Sequence, residues 1–400
     1  MRIGLLSYEY PPETGFGGIG TYSWYQARGL AKLGHDVHVF AGSTENGGSE
    51  SEHDGVRVTR YKREGWLDRM LDPLRRTQSW WAANRIQAAY HSHHMLAKAL
   101  QQEKLDVVEF PECGADGMVV STLCDVPSVV KFHSPARLIM EMYQVPRLDR
   151  ELTAFIEQIA IKQATARTSC SQFLADEVTV KLPVHEHIDV VRNGIDLDLF
   201  DRDDGIDVGE RFNLQPGGTK VFFANRLEER KGVHLLKEMC FEVMAKYPNA
   251  HFVIAGNDLF GYMEREILPF IKENGLEDRF HYLGQLTLPE VRAVLKHIDI
   301  FLIPSLWENC PYSCIEAMSA GRAIVSSDCG GMPELIEHDD RGLLARNDDA
   351  PAFVAALERM LDDTDLRART GASARRFVEE NLTDVEIARR SLEVYERIAR

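Results

Sequence analysis

The chain has 400 residues, a formal net charge of −16, and a composition that is 44% hydrophobic and 27% charged. That length allows two or three domains, each with a core of its own, and the acidity excludes a general nucleic-acid binder, which would be basic. No uninterrupted apolar run is long enough to span a bilayer, and seven cysteines without a CxxC pair fit a reduced, cytoplasmic setting better than a disulfide framework.

The opening "MRIGLLSYEY" has one basic residue and a short apolar run, so it reads as a strand and not as a signal peptide. Strand-like runs then alternate with amphipathic helical stretches. Strands are predicted at 2–7, 36–41, 56–61, 105–110, 128–132, 166–170 and 188–191, and helices at 19–33, 79–102, 148–164 and 171–181. "STENGGSESEHDG" (43–55) reads as a mobile loop. The Gly- and Asp-rich stretch 192–220 reads as a domain boundary, with the joint near 193–217. Strands resume at 220–224, 251–255, 279–283, 300–303, 323–326 and 342–345, and helices close the chain at 350–362, 365–381 and 384–399. "VFFA", "FVIA" and "IFLIP" are apolar on both faces, as parallel strands covered by helices should be. The alternation predicts an α/β class with two doubly wound domains and right-handed crossovers. Ligands of such sheets bind outside the carboxyl ends of the strands.

Polar constellations fall at several of those ends. "PPETGFGGIGTY" leads from the first strand into a helix whose free N–H groups and positive dipole end suit a phosphate or a hydroxyl, although a plain loop is the competing reading. "VVKFHSP" puts His133 directly after a buried strand, where it is either structural or functional. "FFANRLEERKGVHLL" sets Arg226 and Lys231 around a strand end and helix start, a fork and a point charge suited to a diphosphate. "IPSLWENCPYSCIEAMSAG" holds Glu308 and Glu316 with Pro311 between them, so Glu308 is expected on a loop and Glu316 on a helix. Ser313 is the expected N-cap, which makes Glu316 either the partner in a capping box or an acceptor for a vicinal diol. Cys310 and Cys314 read as small packing residues or as neighbours of the site. His91, His93 and His94 lack an acidic or cysteine partner in sequence, so no metal site is assigned. The stretch 62–81 mixes Arg69, Arg75 and Arg76 with Trp66, Trp80 and Trp81. It reads either as packing with solvated charge or as a membrane-surface or acceptor-binding segment, leaving the protein cytoplasmic with a membrane-peripheral option.

In order and spacing, these motifs resemble the retaining GT-B glycosyltransferases of family 4. The matching text is the Gly-rich loop with "ARGLAKLGHDVHVF", "KFHSP", "VVRNGIDLDLF", "NRLEERKGVHLL", "HYLGQL", the two spaced glutamates and "SSDCGGMPELI". The resemblance implies two Rossmann-like domains facing each other across a deep cleft. These would be an acceptor-binding domain, 1–195, rejoined by a final helix 384–400, and a donor-binding domain, 196–383. It implies a transfer of a hexosyl group from a nucleoside diphosphate sugar, UDP-sugar favoured, to a hydroxyl of a sugar, lipid-linked or small-molecule acceptor. Retention by same-face substitution, with no metal or other cofactor, goes with it. Gly17 and Gly18 would lie against the donor, His133 near the anomeric side of the sugar, and Arg226 and Lys231 on the diphosphate. Glu308 would bind sugar hydroxyls, Glu316 the ribose diol, Leu286 the region of the base, and Asn193 the hinge. Asn309, Cys310, Pro311, Tyr312 and Ser313 would line the donor, although the family's Gly-Phe-Gly after the first glutamate is Asn309-Cys310-Pro311 in this chain, and its Gly-x-Gly-Pro is "GNDLFG" (256–261). A nucleotide-sugar epimerase of the same fold and an NAD-linked oxidoreductase are the alternatives. The oligomeric state is not legible.

Overall fold

The computed structural model describes all residues except 16, 45–47, 62–64, 77–78 and 400, and the side chain of Asp68. The chain divides into two units, Met1–Asp196 with Thr383–Arg400, and Leu197–Leu382.

In the first unit the strands are β1 (Arg2–Ser7), β2 (Asp36–Gly42), β3 (Glu50–His53), β4 (Val56–Tyr61), β5 (Val107–Pro111), β6 (Ser128–Phe132), β7 (Ala166–Ser169) and β8 (Ile188–Val190). They form one sheet in the order β3-β4-β2-β1-β5-β6-β7-β8. All neighbours are parallel except β3 and β4. The interior strands are buried throughout because helices cover both faces. Strand order reverses direction between β1 and β5, which makes the carboxyl ends of those two strands the switch point of this sheet.

One expectation fails here. Residues 43–55 are not all loop, because Glu50–His53 is an antiparallel edge strand paired with β4. Asp54 and Gly55 join the two strands, both with positive φ, as a two-residue hairpin of the primed type requires. The strand "ESEH" carries no apolar alternation because it is an edge with almost no buried side, and its charges suit such an edge.

Polar groups are buried at the centre of this unit. Tyr22, on the helix Gly18–Lys32, donates to Glu109 Oε1 at 2.8 Å, and Tyr395, on the closing helix Asp384–Ile398, donates to Glu109 Oε2 at 2.7 Å. Lys131 on β6 is fully buried, donates to the carbonyl of Val191 and lies 4.9 Å from the Tyr22 ring centroid. A carboxylate so placed persists only with donors around it. The closing helix is thus fastened to the first sheet from within. Its start is tied as well: Asp384 N–H donates to Ile195 O at 2.9 Å, and Lys32 binds both Asp196 and Asp384 at 2.9 and 2.8 Å.

In the second unit the strands are β9 (Thr219–Ala224), β10 (Ala250–Ala255), β11 (Phe280–Tyr282), β12 (Ile300–Ile303), β13 (Ala323–Ser327) and β14 (Leu343–Ala345). The sheet is wholly parallel in the order β11-β10-β9-β12-β13-β14, so its switch point lies between β9 and β12. Phe222 on β9 and Phe301 on β12 meet edge to face at 5.7 Å, at that junction.

Replacing Tyr395 by Phe leaves the buried Glu109 short of a donor. We expect a loss of about 1–3 kcal/mol in stability by chemical denaturation.

Candidate functional site

In the second unit, β9 ends at Ala224 and the chain turns through Arg226, Glu228, Arg230 and Lys231. β12 ends at Ile303 and the chain turns through Pro304 to Glu308. The two loops, at the switch point, are joined to each other. Leu306 N–H donates to Arg230 O at 2.8 Å, and Arg230 Nη1 donates to Trp307 O at 3.1 Å. Gly232 has φ +78°, and a Cβ there would stand 2.0 Å from Pro304 O, so only glycine fits. On the other side, Gly330 has φ +58° and would place a Cβ 1.9 Å from Glu308 O. The neighbouring Gly331 N–H donates to that same carbonyl at 2.9 Å.

These loops bring Lys231 and Glu308 into a buried ion pair, Nζ against Oε1, with side chains 10% and 8% exposed. Burial pushes the Glu308 carboxyl up, but Lys231 and Arg230 more than offset it and hold it below its usual value. Burial pulls the Lys231 ammonium below its usual value, with Glu308 opposing and Arg230 and Arg226 assisting. Around the pair, Glu228 accepts from Arg230 at 3.0 Å and forms an ion pair with Arg226 at 3.2 Å. Three cations thus share two carboxylates, and Arg226 keeps half its side chain in solvent, 54% exposed, where it can turn to an anion. Arg230 and Glu228 lay unremarked inside the same charge run that marked Arg226 and Lys231. Their role needed the fold to reveal it.

Downstream of Glu308, Asn309 and Cys310 are buried, and the helix Tyr312–Ser319 begins at once. Its N-cap position is Pro311, not Ser313, and no side chain caps it. The expected capping box is therefore absent. Pro311, with no N–H to satisfy, takes the cap position and the helix starts two residues earlier than expected, which leaves Ser313 as the second helical residue and Glu316 as the fifth, a full turn in. Glu316 is half-buried and makes no side-chain hydrogen bond among the described residues. Burial pushes its carboxyl up to about 7, with Arg292 opposing. The structure thus leaves the diol reading of Glu316 standing and removes the capping one. Tyr312 is buried on the same helix.

On the far side of β9, Gly256 N–H donates to Gly284 O at 2.8 Å, joining the loops after β10 and β11. Leu286 lies half-buried in the second of these loops. In the "GNDLFG" loop, the Asp258 carboxylate accepts from Tyr262 N–H at 2.9 Å and Met263 N–H at 2.8 Å. A carboxylate therefore occupies amides that a phosphate would otherwise take. A hollow of about 850 Å³ in this unit is lined by Pro216, Lys220, His297 and Asp299 and opens at the amino ends of β9 and β12, away from these loops.

The first unit holds the other predicted residues. Gly17 is the N-cap and Gly18 the first residue of the helix that follows β1. Arg60 holds the approach to it, donating to Tyr10 O and Gly42 O at 3.0 Å each and binding Glu13 at 3.1 Å. His133, just past β6, is buried against Tyr22, ring centroids 4.9 Å apart. Burial, helped by Lys131, pulls its imidazole down to about 3, so the ring is neutral at ordinary pH. Its backbone is held by a residue the sequence reading missed. Glu112, just past β5 in "FPECGADG", is fully buried and accepts from His133 N–H at 2.9 Å and from Ser134 N–H. Burial and nearby Glu157 push the Glu112 carboxyl up to about 8 against those two amides. Glu157 itself pairs with Arg85 at 2.9 Å and accepts from Ala136 N–H at 2.8 Å. Asn193 is buried at the end of this unit, three residues before the chain passes to the second unit. Among the described residues no group of three or more His, Cys, Asp or Glu could hold a metal ion.

With this geometry in view, two family profiles match the chain. "Glycosyltransferase Family 4" matches residues 16–199, and "Glycosyl transferases group 1" matches residues 210–377. A glycogen synthase of Mycobacterium tuberculosis is 25% identical over 418 residues, covering 99% of this chain and 94% of that protein. Among solved structures, sucrose-phosphate synthase from Thermosynechococcus elongatus superposes with a TM-score of 0.79 at 20% identity, covering 99% of this chain and 98% of that one. HepE of Anabaena in complex with UDP-glucose gives a TM-score of 0.74 at 18% identity, covering 99% and 100%. Nothing in these matches favours an epimerase or an NAD-linked oxidoreductase.

Replacing Lys231 by Ala strands the buried Glu308 charge. The expected loss is about 3–5 kcal/mol at neutral pH. Without its partner, the folded-state pKa of Glu308 rises above its unfolded value, so the penalty is largest at high pH and is relieved as pH falls. Adding Glu308→Gln should restore more than half of the loss. Thermal melts across pH check both outcomes.

Proposed function

Because this chain belongs to the group 1 glycosyl transferases, enzymes with the GT-B fold, we propose that it transfers a hexosyl group from a nucleoside diphosphate sugar to an acceptor hydroxyl with retention of anomeric configuration. The observation that carries this reading is the cluster of Arg226, Arg230 and Lys231 around two carboxylates at the switch point of the second sheet. With three cations against two acids, it has positive charge in excess where a diphosphate would sit, and Arg226 is free to swing from Glu228 toward it.

The chemistry follows from which groups are committed. Double displacement would need a carboxylate free to attack the anomeric carbon. Glu308 is engaged by Lys231, which lowers its basicity and holds it in place to accept hydrogen bonds from sugar hydroxyls. Same-face substitution asks less of the protein. The bond from the anomeric carbon to the leaving diphosphate breaks, an oxocarbenium-like ion pair forms, and the acceptor oxygen bonds to that carbon from the same side. The acceptor proton passes to a leaving phosphate oxygen. Arg226 and Lys231 stabilise the charge that grows on the diphosphate, which is what a divalent metal does elsewhere, so no metal cofactor is assigned. His133, neutral throughout ordinary pH, is assigned to a hydroxyl of the transferred sugar, where an uncharged ring can donate or accept. Gly17 and Gly18, at the start of the helix after β1, are assigned to the donor through helix N–H groups.

Glu316 is assigned to the ribose diol, Leu286 to the base, and the buried Asn309, Cys310 and Tyr312, with Pro311 and Ser313, to the donor wall. Pro311, without an N–H, cannot hydrogen-bond the sugar through its backbone, so fewer donors are offered there than a glycine would supply. UDP is the favoured nucleotide, in keeping with the UDP-glucose complex of a protein of this fold. The acceptor, a sugar, a lipid-linked compound or another small molecule, is assigned to the first unit, and the cytoplasm is the favoured setting.

A melting-temperature screen of UDP, GDP and ADP and their hexoses tests the donor. UDP-hexoses should give the largest shift, with about 2.7 kcal/mol expected at a hundredfold excess over Kd. A larger shift with ADP or GDP would replace the base assignment, and no shift with any would overturn the donor site. The anomeric coupling constant of the product, by proton NMR, decides between retention and inversion. Turnover should survive EDTA. Ionisation of Glu316, whose carboxyl lies near 7, makes it a pure acceptor for the diol. Donor affinity should therefore strengthen from about pH 6 to about pH 8, and Glu316→Gln should both weaken binding and flatten that rise.

A further inference from the structure

Two helices of the first unit turn apolar residues outward. In the helix Trp66–Arg76, Trp66, Met70 and Leu74 recur at four-residue spacing and are 60%, 65% and 42% exposed. In the helix Arg147–Gln163, Leu148, Leu152 and Phe155 follow at spacings of four and three residues and are 65%, 39% and 60% exposed. Each stripe lies on one side of its helix. The inward side of the second helix is accounted for, because Asp149, Thr153, Ile156 and Glu157 are all buried. These apolar residues are therefore surplus to the core.

Both helices pack on a third. The helix Trp80–Leu100 runs beside both, with Trp66 edge-on to its Tyr90 at 6.0 Å. At its start, the N–H groups of Trp81 and Ala82 donate to the Asp149 carboxylate at 2.9 and 2.8 Å. That places the exposed pair Trp80 and Trp81 against the first turn of the helix carrying Leu148. Large apolar side chains exposed in such numbers on neighbouring helices mark an interaction surface.

The charges decide what it meets. Among the described side chains, the exposed acids of these helices and of the turn before the second are matched: Asp72 by Arg75 at 3.1 Å, Glu141 by Arg150 at 2.9 Å, and Glu151 by Arg137 at 2.6 Å. Arg69, Arg76 and Arg147 are exposed and make no ion pair among the described residues. A face with surplus arginine, on a chain of net charge −16, is a local reversal of sign. Tryptophans beside arginines, with leucine, methionine and phenylalanine exposed between them, are the composition of a surface that sinks into lipid headgroups. Residues 62–64 and 77–78, in the stretch singled out from sequence, lie outside the described residues, and nothing here rests on them.

We propose that the outward face of the helices Trp66–Arg76 and Arg147–Gln163 docks on an anionic lipid bilayer, with tryptophan and leucine side chains in the headgroup layer and arginines on the lipid phosphates. The assignment is independent of the transfer reaction, since it uses none of the residues given to the donor. It also ties a membrane-facing element to the proposed site of the first unit, because Glu157, on the inward side of the second helix, holds the backbone at Ala136 just beyond His133.

The test is sedimentation of the full chain with vesicles of phosphatidylcholine, alone or with about a third phosphatidylglycerol. Binding to the anionic vesicles at low salt is expected, with at least roughly tenfold weaker binding to phosphatidylcholine alone or in high salt. Trp66→Ser with Met70→Ser should weaken binding by roughly tenfold or more. Arg69→Gln with Arg76→Gln should abolish the preference for anionic lipid. Both pairs change exposed side chains, so melting temperature and nucleotide binding should stay as in the parent, which separates failure here from failure of the donor reading. Absence of sedimentation with anionic vesicles would overturn the proposal. So would a concentration-dependent dimer that the Trp66→Ser pair abolishes, since a second copy would then own the face.

Discussion

Holding Lys231 and Glu308 together out of water is the constraint on which the second unit depends. Removing two opposite charges from solvent costs several kcal/mol for each, and their attraction returns that only when the geometry is held. The surrounding backbone does the holding. Gly232 lets the β9 loop close on Pro304, Gly330 lets its own turn close on Glu308, and Arg230 spans to Trp307. Side chains with a Cβ cannot occupy either glycine position. The loops are therefore rigid for a reason that is visible in contacts, and a rigid pair at the carboxyl ends of the switch strands is a fixed electrostatic feature presented to a ligand.

The first unit solves a related problem differently. Its buried acids, Glu109, Glu112 and Glu157, do not all meet cations. Glu109 is satisfied by two tyrosine hydroxyls, one from the closing helix, and Glu112 by backbone amides. Burial lifts all three above the ordinary carboxylate range. Glu112 is a positioning residue in this account: it fixes the backbone of His133 without reaching a ligand itself. The same unit faces its surroundings with the arginine and tryptophan surface, so an inner acidic framework and an outer cationic face share the helix Arg147–Gln163.

Much of the fold was legible because parallel strands covered on both faces leave long apolar runs. Thirteen of the fourteen strands lie within two residues, at either end, of the segments the sequence predicts, most of them such runs, although β4 alternates and β7 is largely polar. The fourteenth, β3, is an edge with no buried face, and composition alone reads "ESEH" as loop; only Asp54-Gly55 hinted at a hairpin. The site was legible in part, since cations and acids after strand ends announce themselves by type. Their pairing did not, because Lys231 and Glu308 are 77 residues apart and meet only when β9 and β12 are neighbours. Pro311 misled the capping argument: a proline that ends one element can also stand at the threshold of the next. Asp258 was hidden similarly, as an acid in a loop that the fold turns into a helix cap.

The central claim is that the cation cluster of the second unit holds a diphosphate. It is tested most directly by calorimetric titration of UDP and of uridine into the same preparation, in EDTA and at fixed salt. The account predicts that UDP binds at least roughly a hundredfold more tightly than uridine, about 2.7 kcal/mol, and that Arg226→Ala erodes this ratio while leaving uridine binding unchanged. Equal affinities for the two, or a ratio indifferent to Arg226, would contradict it.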